Sequence, residues 1–471
     1  MKHLITVFLS LTILYTANTQ SVIFEKSYDF GDLIFCTSII GTDDGGFLIT
    51  GDRRKPDQTF TNILIKTEEH GDTLWTKELK YYSEFYTSKI IKAQDGSYTF
   101  CGTIRKTHSS SEDVYVANFD QDGNLNWDNA FSIGFGTFMG MGIRELKAGG
   151  YILSVGSPPV TPGSADAGFL VKLNAAGDTL WTRRFDAIPP KNYFLPVDVV
   201  ETSDGGFVMG GSSGQALRLI KTNSNGKLQW NKHYDHISAD AASIVEDSNG
   251  DLIICSVTDS IDTTGNDIYL FRVNNEGEMI WNKIIGDSGD DYGFKIIQDA
   301  KDNGFIITGM RTPDTSTASY IYFAKLDGGG NIKCENTFGP PNSLGFDITP
   351  TSDGNLMIIG FKNLFSVPDV NKIFIAKISN CEISRMEERQ RFNTLDIFPN
   401  PVAENMQVNL PEGNGNLKLE ISDARGKVLK VQELNSSNST VSIRNLPEGI
   451  YFLKAHTRKG EVFTNKIVIR K

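Results

Sequence analysis

Histidine and cysteine are scarce in this chain, and several kinds of chemistry leave with them. Among 471 residues there are six histidines and five cysteines. Six imidazoles leave few candidates for His-based catalysis. Cys36, Cys101, Cys255, Cys334 and Cys381 are too few and too scattered for a disulfide-built scaffold; at most two bridges form and one thiol stays free. No P-loop, HExxH or CxxC motif occurs. Positive charge is short as well, with 46 Lys and Arg against 57 Asp and Glu and a net charge of −11. No domain carries the basic excess that phosphate backbones require, which argues against nucleic acid as a partner. Beyond the N-terminus no stretch approaches eighteen apolar residues, so no transmembrane segment is expected in the mature chain.

What is abundant is glycine, 45 residues of it, often as Asp-Gly or Asn-Gly. That composition points to an all-β chain of short strands and tight turns. The chain starts with Met1, Lys2 and His3, continues with the apolar run LITVFLSLTILY and then with small polar residues. This is the pattern of a secretory signal peptide, expected to span residues 1–20, with Ala17 and Thr19 flanking a cleavage site near Gln20.

One unit recurs seven times in three pieces. The first holds an Asp-Gly-type turn and an aromatic or Leu at Phe47, Tyr98, Tyr151, Phe207, Leu252, Phe305 and Leu356, at intervals of 45 to 56 residues. The second is an apolar strand such as NILIKT or DIYLFRV. The third has the form xxGxxxW and carries Trp75, Trp127, Trp181, Trp230 and Trp281; GDTLWT occurs in it twice, verbatim. The sixth copy has Cys334 at the Trp position. The seventh lacks this piece, but SVIFEKSY near the N-terminus fits it, with Phe24 where Trp belongs. Four strands in about fifty residues make one propeller blade. The expected fold is a seven-bladed β-propeller over residues 21–382, closed by an N-terminal strand that removes the free edges. Each Trp is expected to pack against the next blade. Cys334 and Cys381 fall in neighbouring blades, and a disulfide between them is an expectation.

Strand alternation sorts two columns. Ile39, Ile90, Ile143, Val199, Ile244, Ile296 and Ile348 are all β-branched and expected inside a blade. The adjacent column, Ser38, Lys89, Gly142, Asp198, Ser243, Lys295 and Asp347, is polar or tiny and expected to ring a wet central channel. Ser38, Lys89, Asp198, Ser243, Lys295 and Asp347 are therefore candidate ligand-binding residues, with an uncommitted solvated lining as the alternative. The tight turns fall on one face, and long irregular connections such as SPPVTPGSADAG fall on the other, where binding residues are expected. Two metal sites are conceivable. His233 and His236, with acidic neighbours, have the chemistry for Zn²⁺, and Asp287, Asp290 and Asp291 have it for Ca²⁺. A solvated polar loop and an acidic connection are the alternatives. No cofactor other than Ca²⁺ is suggested.

After a charged linker at residues 383–393, residues 394–471 carry about +3 against about −14 for the rest. Alternating apolar residues between Gly, Pro and Asn turns there mean a small Ig-like antiparallel β-sandwich. FPNPV (Phe398 to Val402), DARGKVL (Asp423 to Leu429), LPEGIYFLK (Leu446 to Lys454) and KIVIRK (Lys466 to Lys471) appear in order. With these landmarks the module resembles the type A C-terminal sorting domain of the type IX secretion system. The match rests on Pro399, Asn400, Pro401, Gly426, Gly449, Tyr451 and Lys466. The resemblance implies an address: export across the outer membrane by the type IX machinery, then surface anchoring or release. The repeats also resemble those of secreted propeller proteins from the same export route and, more loosely, the tryptophan-docking repeats of quinoproteins.

The expected protein is thus a monomeric, surface or released β-propeller that binds a protein or glycan without catalysing a reaction. The alternative is an extracellular enzyme, either a polysaccharide-acting hydrolase or a quinoprotein-like oxidoreductase.

Overall fold

A computed structural model describes residues 22–28, 33–54, 60–79, 89–105, 112–133, 138–157, 167–187, 194–213, 216–235, 237–259, 265–286, 289–313, 316–362, 372–381, 393–394, 396–398, 402–409, 417–423, 427–434, 438–457 and 462–470. Among them there is no helix, and the fold is all-β and propeller-like. The chain divides into two compact units, Met1–Cys381 and Glu382–Lys471.

The first unit holds seven four-stranded antiparallel sheets among the described residues. Sheet I is Leu33–Gly41, Phe47–Arg54, Phe60–Thr67 and Thr73–Glu78, in chain order. Sheets II to VI repeat that order, opening on Lys89–Lys92, Met139–Glu145, Leu195–Glu201, Ser238–Glu246 and Asp291–Gln298. Sheet VII takes Leu344–Pro350, Leu356–Lys362 and Lys372–Ile378, and its fourth strand is Val22–Tyr28 from the start of the chain. Phe24 pairs with Lys377 and Tyr28 with Ile373. The opening strands of consecutive sheets lie side by side, and Leu344–Pro350 lies beside Leu33–Gly41.

The β-branched column is buried throughout, at 4% exposure or less from Ile39 to Ile348. In sheets I, III, IV, V, VI and VII the register shifts just before Ser38, Gly142, Asp198, Ser243, Lys295 and Asp347. An irregularity of this kind re-aims the side chain that follows it. The polar column is thereby turned away from its own sheet toward the neighbouring ones.

Consecutive sheets lock through a second repeated contact. The Trp75 ring fills the space where Gly123 of the next turn would carry a Cβ, and Trp127 does the same at Gly177. Trp181, Trp230 and Trp281 meet Gly226, Gly277 and Gly330 in the same way. These glycines have two reasons to be glycine: φ is +72° at Gly123 and +83° at Gly177, a region an L side chain rarely adopts, and any side chain would displace the indole. Two of the indoles also tilt onto the next sheet's leading aromatic, Trp127 on Tyr151 at 5.9 Å and Trp181 on Phe207 at 6.0 Å.

The sixth contact replaces indole by a covalent bond, the disulfide Cys334–Cys381 with Cα atoms 6.5 Å apart. At the seventh, Phe24 stacks on His70 at 6.2 Å, and the Tyr28 hydroxyl donates to the Gly71 carbonyl at 2.5 Å. Cys36, Cys101 and Cys255 are free and fully buried.

The second unit sets a five-stranded sheet against a three-stranded one around a shared core that includes Met406, Val408, Leu419, Ile421, Val441 and Leu453. It departs from the expected all-antiparallel sandwich at one strand: Asn393–Thr394 runs parallel to the last strand, Val462–Ile469.

Candidate functional site

The bulges bring the polar column together as two linked groups. In the first, Asp198 of sheet IV accepts from Lys89 of sheet II at 3.2 Å and from Arg144 of sheet III at 3.2 Å. Lys89 reaches past sheet III because Gly142 stands in the intervening position, where a Cβ would crowd Asp198 Cα at 3.2 Å. Asp198 also accepts from the backbone N–H of Val199 and, across the sheet boundary, of Ile244 at 3.1 Å. In the second group Asp347 of sheet VII accepts from Ser38 Oγ at 2.7 Å and Ile39 N at 3.1 Å, both in sheet I. Lys295 of sheet VI lies 3.9 Å from the other Asp347 oxygen.

The two groups repeat one pattern: Lys, then Asp, then a Ser-Ile pair on the following sheet whose Ile N–H caps the carboxylate. Around the column the order is Ser38, Lys89, Gly142, Asp198, then Ser243, Lys295, Asp347, so Gly142 is the one insertion. The repeat is imperfect at the serines. Ser38 donates to Asp347, whereas Ser243 Oγ is buried without a partner. The Ser and Asp members are 1–6% exposed, so cross-sheet bonds occupy positions expected to face water.

Burial and crowding set the charges here. Burial pushes the Lys89 ammonium down to about 7; Arg144 and Lys295 add to the shift, and Asp198 and Asp347 oppose it. For Asp198 burial works upward, but Arg144, Lys89, Lys295 and the Ile244 N–H outweigh it and hold the carboxyl well below its usual range. Asp198 therefore stays ionised, while Lys89 titrates near neutrality.

A second feature lies at the ends of sheets II and III opposite the tight turns. A cavity of about 410 Å³ is lined by Ser132, Phe138, Ser157, Phe169, Thr182 and Arg184. Phe138 and Phe169 meet edge to face at 5.7 Å. The Arg184 guanidinium lies 5.7 Å from the Phe169 ring and donates to Asp186 at 2.6 Å. Thr182 ends the second GDTLWT copy and Phe169 lies in the repeated apolar strand, but no repeat or motif marked Ser132, Phe138, Ser157 or Arg184 or pointed to a cavity here.

Most of the long connections on that face lie outside the described residues, as do His236 and Asp287. His233 lies in strand Leu228–Asp235 opposite Arg218. Asp290 accepts two hydrogen bonds from Asn266 at 3.0 Å, and Asp291 pairs with Arg311 at 3.3 Å. Among the described residues no group of three or more His, Cys, Asp or Glu is placed to hold a metal. In the second unit Pro399, Asn400, Pro401 and Gly426 lie outside the described residues. Gly449 opens strand Gly449–Thr457, buried Tyr451 donates to the Pro447 carbonyl at 2.9 Å, and Lys466 pairs with Phe452.

Residues 396–470 match the secretion system C-terminal sorting domain. That domain marks proteins carried across the outer membrane by the type IX system, so the chain is a cell-surface or extracellular protein that engages the secretion machinery. No curated protein matches the chain. Among solved structures, a protein of unknown function from Dyadobacter fermentans is 12% identical, with 76% of this chain and 99% of that one covered and a TM-score of 0.45. The NanB sialidase of Streptococcus pneumoniae is 10% identical, with 76% and 70% covered and a TM-score of 0.42. PorZ of Porphyromonas gingivalis, a surface component of the type IX secretion system, is 10% identical, with 93% and 81% covered and a TM-score of 0.26.

Proposed function

We propose that the chain is an exported seven-bladed β-propeller, closed by its own N-terminal strand, that binds an extracellular glycan or glycan-bearing protein without chemical turnover. In this reading residues 1–20 are the signal peptide, 21–382 the propeller, 383–393 a linker and 394–471 the sorting domain. The ring reading is supported by the seven sheets, by Val22–Tyr28 completing sheet VII and by Leu344–Pro350 lying beside Leu33–Gly41.

The observation that carries the binding reading is the cavity at Arg184. Its volume is in the range of pockets that take a small ligand. It offers a guanidinium, three hydroxyls and an aromatic base, groups that bond sugar hydroxyls and pack on sugar C–H faces. Asp198 and Asp347, by contrast, are committed to backbone N–H groups and neighbouring cations, as structural staples are.

A glycan array and a surface-protein pull-down with the whole chain test the proposal. Binding should fall about tenfold or more in Arg184→Ala, the loss expected for a charged hydrogen-bonding group, with the melting temperature unchanged. Turnover of a polysaccharide by a chain that retains no glycan would overturn it in favour of an enzyme.

A further inference from the structure

We propose that the inner ring is a binding site for a small oxyanion, a carboxylate or phosphate group held by Lys89 and Lys295 with the Ser243 hydroxyl. The inference goes beyond the glycan reading and does not depend on the Arg184 cavity.

The argument is an inventory of donors and acceptors. Each ammonium has three N–H donors. Lys89 places one on Asp198, and the carboxylate nearest Lys295 stands at 3.9 Å, outside hydrogen-bond range. Both side chains are largely buried, with 18% and 16% of their surface exposed. Ser243 is 3% exposed, and its Oγ has no partner. The two carboxylates can absorb at most one more of these donors. Asp198 already takes Arg144, Lys89, Val199 N and Ile244 N, and Asp347 takes Ser38, Ile39 N and Ile348 N.

Charge points the same way. With Lys89 protonated, Lys89, Lys295 and Arg144 face Asp198 and Asp347, an excess of one positive charge among the described residues of a poorly solvated space. Buried donors without acceptors cost free energy, and so does an unbalanced buried charge. A group that only accepts and carries one negative charge satisfies both. Water would accept hydrogen bonds and leave the charge; a cation would meet carboxylates already capped and add to the repulsion. The half-ring with Ser38 needs no such guest, because Ser38 donates to Asp347.

The site's affinity should follow the protonation of Lys89, whose folded value is about 7. The charged or titratable groups around it are Arg144, Asp198, Lys295 and Asp347, with Cys101 opposite it on the paired strand. Cys101, pushed up to about 12 by burial, stays neutral between pH 6 and 8. Acetate, which is ionised throughout that range, should therefore bind about tenfold more tightly at pH 6 than at pH 8.

The test uses the full chain at constant ionic strength, with inorganic phosphate, acetate and glucuronate titrated against chloride by calorimetry and thermal shift. Saturable binding of phosphate and acetate is expected. Lys295→Met should weaken it about tenfold and Ser243→Ala about threefold. Ser243→Ala removes a single hydroxyl, so it keeps the test valid if Lys295→Met fails to fold. Glucuronate binding well above acetate would identify an acidic sugar as the source of the anion; equal binding would identify a free anion. Absence of saturable binding, or binding unchanged in Ser243→Ala and in any folded Lys295→Met, overturns the site. Arg184→Ala should leave it intact, which separates this failure from failure of the glycan reading.

Discussion

Five of the contacts between consecutive sheets are made one way, by an indole seated on a glycine, and the two that involve sheet VII are made differently. Where the sequence repeats, each sheet brings its own Trp and its own turn glycine, so the joint is local and self-supplied. Sheet VII has neither: its fourth strand comes from the other end of the first unit, and the turn that would hold the glycine does not exist. Cys334–Cys381 takes the indole's place on one side, and Phe24 on His70 with Tyr28 on Gly71 takes it on the other. A joint that cannot rely on neighbouring residues relies on a covalent bond or on a strand carried from a distance.

That contrast breaks most completely if Val22–Tyr28 is deleted. Ile373, Phe374 and Ile375, which are at most 3% exposed, would then form an open apolar edge. Loss of cooperative unfolding in circular dichroism melts is expected, with recovery on adding the 22–28 segment as a peptide. A deletion variant with an unchanged melt would show that the strand is an ornament. The disulfide ranks next. It closes a loop with a sequence separation of 47, and in the chain-entropy account its removal in a Cys334→Ser, Cys381→Ser variant costs about 4 kcal/mol. Urea unfolding of that variant should bring the midpoint down accordingly, and reductant should have no further effect on it.

Third comes one of the five ordinary joints. Trp181→Ala empties the space above Gly226 and removes the Phe207 contact, for about 3 kcal/mol given an indole only partly buried. Because one joint lies between sheets III and IV and the other between sheets VI and VII, and they share no partner, this loss and that of the disulfide should add. Strong coupling between them in a double-mutant cycle would mean that the joints report on a single strained ring rather than on separate contacts.

The sequence made the ordinary joints legible because one spacing, xxGxxxW, writes both halves of the contact into every copy. It also exposed the exceptions: Cys334 stands where Trp should, and Phe24 lies in a stray fourth-strand motif. The polar column was legible as a column, since strand alternation reports which side chains share a face. Its pairing was not. That Lys89 would cross Gly142 to reach Asp198, while Lys295 stays beside Asp347, depends on bulges and distances that alternation does not encode. Arg144 went unnoticed although it stands two residues beyond Gly142, on the same face by the period of a strand; attention to that period would have found it. The Arg184 cavity was not legible, because Thr182 and Phe169 lie in repeated pieces that read as packing, while Ser132, Phe138, Ser157 and Arg184 lie outside them.

The smallest effect compares two tyrosines in equivalent positions. Tyr234 lies four residues beyond Trp230 and donates to the Gly277 carbonyl at 2.8 Å; Tyr28 lies four beyond Phe24 and donates to Gly71. Either Tyr→Phe change removes one hydrogen bond, worth about 1 kcal/mol. The surroundings decide which loss is larger. Beside Tyr234 the joint keeps the Trp230 indole, whose N–H donates to the Asn275 carbonyl at 2.7 Å. Beside Tyr28 there is a phenyl ring with no donor, so Tyr28→Phe should cost more than Tyr234→Phe in urea titrations. Burial raises the Tyr28 phenol, and Asp72 and Glu68 raise it further, so its folded value lies above the unfolded one near 10. Its contribution is therefore fully present below pH 10 and would be lost only as the pH climbs through the folded value. A difference between the two variants that stays constant from pH 6 to pH 9 fits this account, and a reversed order would mean that the joint between sheets VII and I draws its strength from elsewhere in the Val22–Tyr28 pairing.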